Sequence, residues 1–198
     1  MSHRHRAVHQ AAALLLHYPG DGWPDRRDRV AGALAGLPGP DTEPLLAFCR
    51  ATADVPPLEL AARYVATFDR TRRRTLHLTH YTDGDTRRRG ATLAALKGRY
   101  REHGWEPQAG ELPDFLPAML EFAARCPGPG RALLHEHAGA LDLLAHGLAA
   151  HRSPYLGVVR AVRATLPAAP VPPQAPHDRP APVPFPLPHA PGDEGVRR

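Results

Sequence analysis

The chain has 198 residues, 42% of them hydrophobic and 23% charged, with a formal charge of +5 and a single lysine, Lys97, among 25 basic residues. Two cysteines, Cys49 and Cys126, are too few for a disulfide framework and too isolated for a zinc site. No run approaches the roughly 20 apolar residues of a membrane span, and so mild a charge excess does not call for nucleic acid.

The apolar run at residues 11–16 is too short for a secretory core, so a cytoplasmic protein is expected. Residues 4–17 carry Val8, Ala12, Leu15 and Leu16 on one stripe, ended by Tyr18-Pro19-Gly20. Pro24 opens a second helix with Val30, Leu34 and Leu37. A short third follows Asp41-Thr42, with Leu45, Leu46, Phe48 and Cys49 inward. After Pro56-Pro57, Leu58, Ala61, Ala62, Val65 and Phe68 recur at three and four. Residues 72–81 are read as a further helical segment, because the alternation of Leu76-His77-Leu78-Thr79 is short.

Asp85-Thr86 is expected to cap a helix with Leu93, Leu96 and Tyr100 inward and Gly104 past its end. Pro113-Asp114 opens the next, and residues 131–151 read as one continuous helix. Ser153-Pro154 starts the last, carrying Tyr155, Val159, Val162 and Leu166. Eight or nine helices without a sheet predict an all-α, single-domain bundle over residues 1–166. Residues 167–198 hold 11 of the 24 prolines and are net neutral, which predicts a disordered tail with polyproline-II bias.

The residues that carry chemistry are sparse. The chain has 13 histidines, but His135 and His137 sit about 200° apart on a helix, unlike the aligned pair of an HExxH site, so no metal is expected. Asp83-Gly84-Asp85-Thr86 lacks the ligand run of a calcium loop and reads as a turn followed by a cap. The runs Arg72-Arg73-Arg74 and Arg87-Arg88-Arg89 read as solvated faces, with contact to an acidic protein as the alternative. No aromatic residues interleave them for stacking on bases. Only Ser2 and Ser153 supply serine hydroxyls, so no nucleophile motif exists and no enzymatic activity or cofactor is expected. The stretch 111–122 is apolar on more than one face, which fits either core packing or a groove for an amphipathic peptide.

At these residues the chain resembles a known family. Tyr64-Val65-Ala66-Thr67-Phe68-Asp69, Leu76-His77-Leu78-Thr79-His80-Tyr81 and Gly84-Asp85-Thr86-Arg87-Arg88-Arg89-Gly90 are followed by Leu96-Lys97-Gly98-Arg99-Tyr100 and Glu111-Leu112-Pro113-Asp114-Phe115-Leu116-Pro117. In this order and spacing they resemble the NarJ family of nitrate reductase assembly chaperones, within the TorD-like redox-enzyme maturation proteins. The resemblance covers about residues 8–166 and is strongest over 58–125.

It implies a TorD-like helical chaperone, monomeric and without stable membrane association. Its partner would be the N-terminal segment of the nitrate reductase catalytic (alpha) subunit. The chaperone would keep the apo-enzyme competent for molybdenum cofactor insertion, delay its membrane docking, and meet molybdenum cofactor delivery proteins. From their chemistry, Phe68, Leu78, Tyr81, Phe115 and Met119 are expected to hold apolar anchors of the client, with Tyr64 also in the contact set. Asp69, Asp85 and Glu121 would meet its basic residues, and Arg89 completes the set. His77 and His80 stand where the family commonly has tyrosine, and their titration would make binding pH-dependent. The alternative is a helical adaptor that works through its Pro-rich tail.

Overall fold

A computed structural model describes residues 3–167, so the expectation for the tail lies outside the described residues. Ten α-helices and one 3-10 turn follow in order: α1 (His3–Leu16), α2 (Trp23–Ala35), α3 (Glu43–Ala51), α4 (Pro57–Phe68), the turn Arg72–Arg74, α5 (Thr79–Asp83), α6 (Arg87–Glu102), α7 (Leu116–Arg125), α8 (Pro127–Glu136), α9 (Ala138–Ala150) and α10 (Tyr155–Ala164). The all-α expectation holds, with more and shorter helices than the sequence suggests.

Helix α1 is central. Val8, Ala11, Ala12, Ala13, Leu15 and Leu16 are all buried, so it is apolar around most of its circumference and packs on α2, α7 and α10. A helix buried on several sides follows from such a pattern. Its His9 is buried too. Thr165 donates its hydroxyl proton to Val162 O at 2.7 Å, so the 2.7 Å contact with His9 Nε2 places the proton on that nitrogen. Burial, with His5 and Arg131 nearby, pushes the His9 pKa down to about 4. A second anchor is aromatic: Trp23, Phe48, Tyr64, Phe68 and Tyr155 form a chain of ring contacts at 4.8–6.0 Å.

The structure corrects two elements. Residues 131–151 are not one helix: the His137 ring Nδ1 meets Leu133 O at 3.0 Å, taking the carbonyl that its own backbone N–H would have bonded. That N–H instead closes on Leu134 O, and the chain restarts as α9. Helix α8 also begins earlier, at Pro127, because Gly130 lets it lie directly on α7; a Cβ there would sit 2.2 Å from Ala123 Cα.

Residues 72–81 are likewise not one helical segment. Between the 3-10 turn and α5 the chain is extended, Leu76 and Leu78 are buried, and His77 forms an isolated antiparallel bridge with Phe115. Leu78 N–H donates to Asp114 O at 3.0 Å and Leu116 N–H to Leu76 O at 2.8 Å. The short alternation was a genuine period-2 signal.

Candidate functional site

That bridge brings Asp114 into the interior just before α7 begins. Its carboxylate is wholly inaccessible to solvent, and three groups reach it: His77 Nδ1 at 3.0 Å, the Thr79 hydroxyl at 2.5 Å and Arg89 Nη2 at 3.1 Å. Arg89 Nε also donates to the Thr79 hydroxyl at 3.0 Å. Burial alone would raise the Asp114 pKa, but hydrogen bonds from His77, Thr79 and Arg89 prevail and hold it down to about 2. Arg89 lies in the first turn of α6, where the helix dipole disfavours a cation, so its place there depends on Asp114. Tyr100 adds a 2.6 Å hydrogen bond to Pro113 O.

Outside this buried centre lies a cleft of about 310 Å³ lined by His77, Gly110, Glu111, Leu112 and Phe115. Gly110, Glu111 and Leu112 also edge a larger recess of about 520 Å³, which α6 closes with Leu93, Ala94 and Lys97. Leu112 is 40% exposed. The Phe115 ring is half-buried between two imidazoles, His17 edge-on at 5.8 Å and His77 tilted at 5.4 Å. His17 in turn lies between two carboxylates, 4.0 Å from Glu111 and 3.5 Å from Glu121. The cleft thus has an aromatic floor, an aliphatic rim and one carboxylate, Glu111, which His17 links to Glu121 just outside the lining.

The residues singled out from sequence fall into separate places. Phe115 lines this cleft, and Glu121 lies next to it, 3.5 Å from the His17 ring that packs on Phe115. Arg89 is bound to Asp114 beneath it. Leu78 and Met119 are fully buried, and Tyr64 and Phe68 belong to the aromatic anchor, so these four build the body behind the surface. Asp69 is exposed at the end of α4. Tyr81 lines a different recess, and Asp85 pairs with two of that recess's lining residues, Arg72 at 2.5 Å and His80 at 3.6 Å.

His17, Glu111 and Leu112 were not singled out from the sequence as site residues. His17 is 94 residues from Glu111 and reaches it only because α1 packs on α7. Glu111 and Leu112 stood within a recognised motif, and an exposed leucine beside a glutamate was their only local signal. Among the described residues, no group of three His, Cys, Asp or Glu is arranged to hold a metal, and no helix is long and apolar enough to cross a membrane.

Residues 35–161 match the family model described as nitrate reductase delta subunit. Over 156 residues the chain is 39% identical to the nitrate reductase-like protein NarX of Mycobacterium tuberculosis, covering 78% of this chain and 24% of that protein. Over 116 residues it is 34% identical to the nitrate reductase molybdenum cofactor assembly chaperone NarJ of Escherichia coli, covering 57% of this chain and 49% of NarJ. The chain therefore spans about a quarter of the first relative and about half of the second. In fold it resembles the crystal structure of a protein described as a redox enzyme maturation protein from Archaeoglobus fulgidus. That match has a TM-score of 0.62 at 18% identity and covers 81% of this chain and 92% of that one.

Proposed function

This chain belongs to the nitrate reductase delta subunit family, and from that premise we propose that it is a NarJ-type assembly chaperone for nitrate reductase. It performs no chemistry of its own. It binds the N-terminal segment of the catalytic subunit, keeps the apo-enzyme open to molybdenum cofactor insertion, and delays membrane docking until insertion is complete. The assembly role is supported by the name of its Escherichia coli relative.

The observation that carries the binding step is the cleft at Phe115, where Leu112 and the ring face lie beside Glu111 and Glu121. A client segment folding as an amphipathic helix would set apolar anchors on Phe115 and Leu112. A basic side chain one turn away would then enter between the two carboxylates, where the His17 imidazole now lies. Such a pair fixes orientation and raises the on-rate more than it adds raw affinity. Tyr64, Phe68, Leu78 and Met119 act from behind, holding the wall against which the helix is pressed. Release follows a change in the client, when its folded, cofactor-loaded form reclaims the segment.

Titration calorimetry with a peptide of the catalytic subunit's first residues tests this. One-to-one binding that weakens when Glu111 and Glu121 are both changed to Lys is the expected result. Equal affinity in that variant would remove the cleft from the mechanism.

A further inference from the structure

The recess at Tyr81 is unlike the client cleft and shares no lining residue with it. It is a trough of about 340 Å³ between the segment holding the 3-10 turn and α5 on one side and α9 on the other. Arg72, Arg73, His80, Tyr81, Leu143, His146 and Gly147 line it. Leu143, His146 and Gly147 recur at three and four on α9, so they form one face of that helix. Leu143 is 54% exposed, between Asp142 and the buried Leu144. At Gly147 the helix comes so close to the turn that a Cβ would lie 2.7 Å from Arg73 O. The Tyr81 ring is held in place by its hydroxyl, which donates to Thr75 O at 3.0 Å. A fixed aromatic ring with imidazoles beside it and arginines at the rim suits a proline-rich segment, whose rings pack on aromatic faces at low entropic cost.

The chain carries such a segment, and Pro167, where it departs, lines a different recess with Pro127, Arg131 and His135 but is linked to α9 through Arg163. Arg163 donates to Pro167 O at 3.0 Å and to Asp142 Oδ1 at 2.9 Å. Residue 167, from which the tail continues, is thereby tied to the residue preceding Leu143. Phe185, the tail's single aromatic residue, comes 18 positions later, a span of up to about 55 Å in polyproline II and ample to return to α9. Pro182, Phe185 and Pro188 are three apart and share one face of a polyproline-II helix. The flanking charges are of both signs, Asp178-Arg179 before the stretch and Asp193-Glu194 after it, and the acidic pair is available to Arg73, with which no carboxylate pairs among the described residues.

We propose that residues 182–188 of this same chain dock in the trough, with Phe185 seated against Tyr81 and Leu143. The tether supplies a local concentration on the order of millimolar, so an intrinsically weak site is filled without a partner. The proposal is independent of the chaperone reading.

The test uses the full chain with a photo-crosslinking p-benzoylphenylalanine at position 185, illuminated when dilute and mapped by mass spectrometry. Cross-links concentrated on residues 72–73, 80–81 and 143–147 are expected. They should fall about tenfold in both Leu143→Asp and Arg73→Glu, two substitutions at exposed positions. Cross-links scattered over the surface, or unchanged in both variants, overturn the proposal. So do cross-links joining light and heavy chains in a mixed-isotope sample, which would seat the tail of a second copy there.

Discussion

The cleft at Phe115 and the trough at Tyr81 are fed by residues four apart, His77 and Tyr81, yet they carry opposite charge. In the cleft, two carboxylates face an imidazole brought from α1. In the trough, Arg72 is matched by Asp85, while among the described residues no carboxylate pairs with Arg73. What separates the two is the turn into α5, held by Thr79 and His77 on Asp114. One buried carboxylate therefore sets the geometry of two surfaces of opposite charge.

The harshest way to break the comparison is to remove that carboxylate. Asp114→Ala leaves Arg89 without its partner and should cost about 3–5 kcal/mol, as loss of one member of a buried pair does. Urea unfolding measures this, and both recesses should be lost together; a cost below ~1 kcal/mol would make the network incidental.

Acid separates the centre from the core beneath it. The His9 pKa is lowered from 6.5 to about 4, so the fold favours its neutral form. That stability is complete above pH 6.5 and declines as pH falls toward 4, by roughly 3 kcal/mol. The Asp114 pKa is also lowered, from 3.8 to about 2, so its contribution is full above pH 4 and is lost only as pH falls toward 2. Urea midpoints between pH 7 and 4 should fall in the native chain and flatten in His9→Gln.

Charge reversal acts on one recess alone. Glu111→Lys with Glu121→Lys should weaken client binding about tenfold or more, equivalent to ~1.4 kcal/mol, and lower unfolding free energy by ~1–2 kcal/mol, because both carboxylates are largely buried beside His17. Raising salt should narrow the gap between native and variant, because both carboxylates are partly solvated. Leu143→Asp has the smallest expected effect. Client affinity should be unchanged and stability should move by less than ~0.5 kcal/mol, since the side chain is mostly in water.

The helical fold was legible because its signals are local. Apolar spacing placed α1, α4, α6 and α10 to within a few residues, and Gly104, at φ +65°, ends its segment just past α6 as its position predicts. The errors came where a distant partner decides. Leu76-His77-Leu78 is extended because Asp114 and Leu116 pair with it across some 40 residues, a contact no window of the sequence contains. The break at His137 depends on one imidazole capturing a carbonyl. The proposed site was legible in part. Phe115 and Glu121 were chosen for their chemistry, but nothing in the sequence brings His17 to them. Leu78 and Met119 looked like anchors because apolar residues of a wall and of a binding surface have the same spacing, and only packing distinguishes them.

The most direct measurement is calorimetry of the client's first ~15–30 residues, about 20–45 Å as a helix, against the native chain, the Glu111→Lys/Glu121→Lys variant and Leu143→Asp. Binding at the Phe115 cleft predicts one-to-one association, lost at least tenfold in the charge-reversed variant and retained in Leu143→Asp. Full affinity in the charge-reversed variant, or its loss in Leu143→Asp, would contradict the assignment of the client to the acidic cleft.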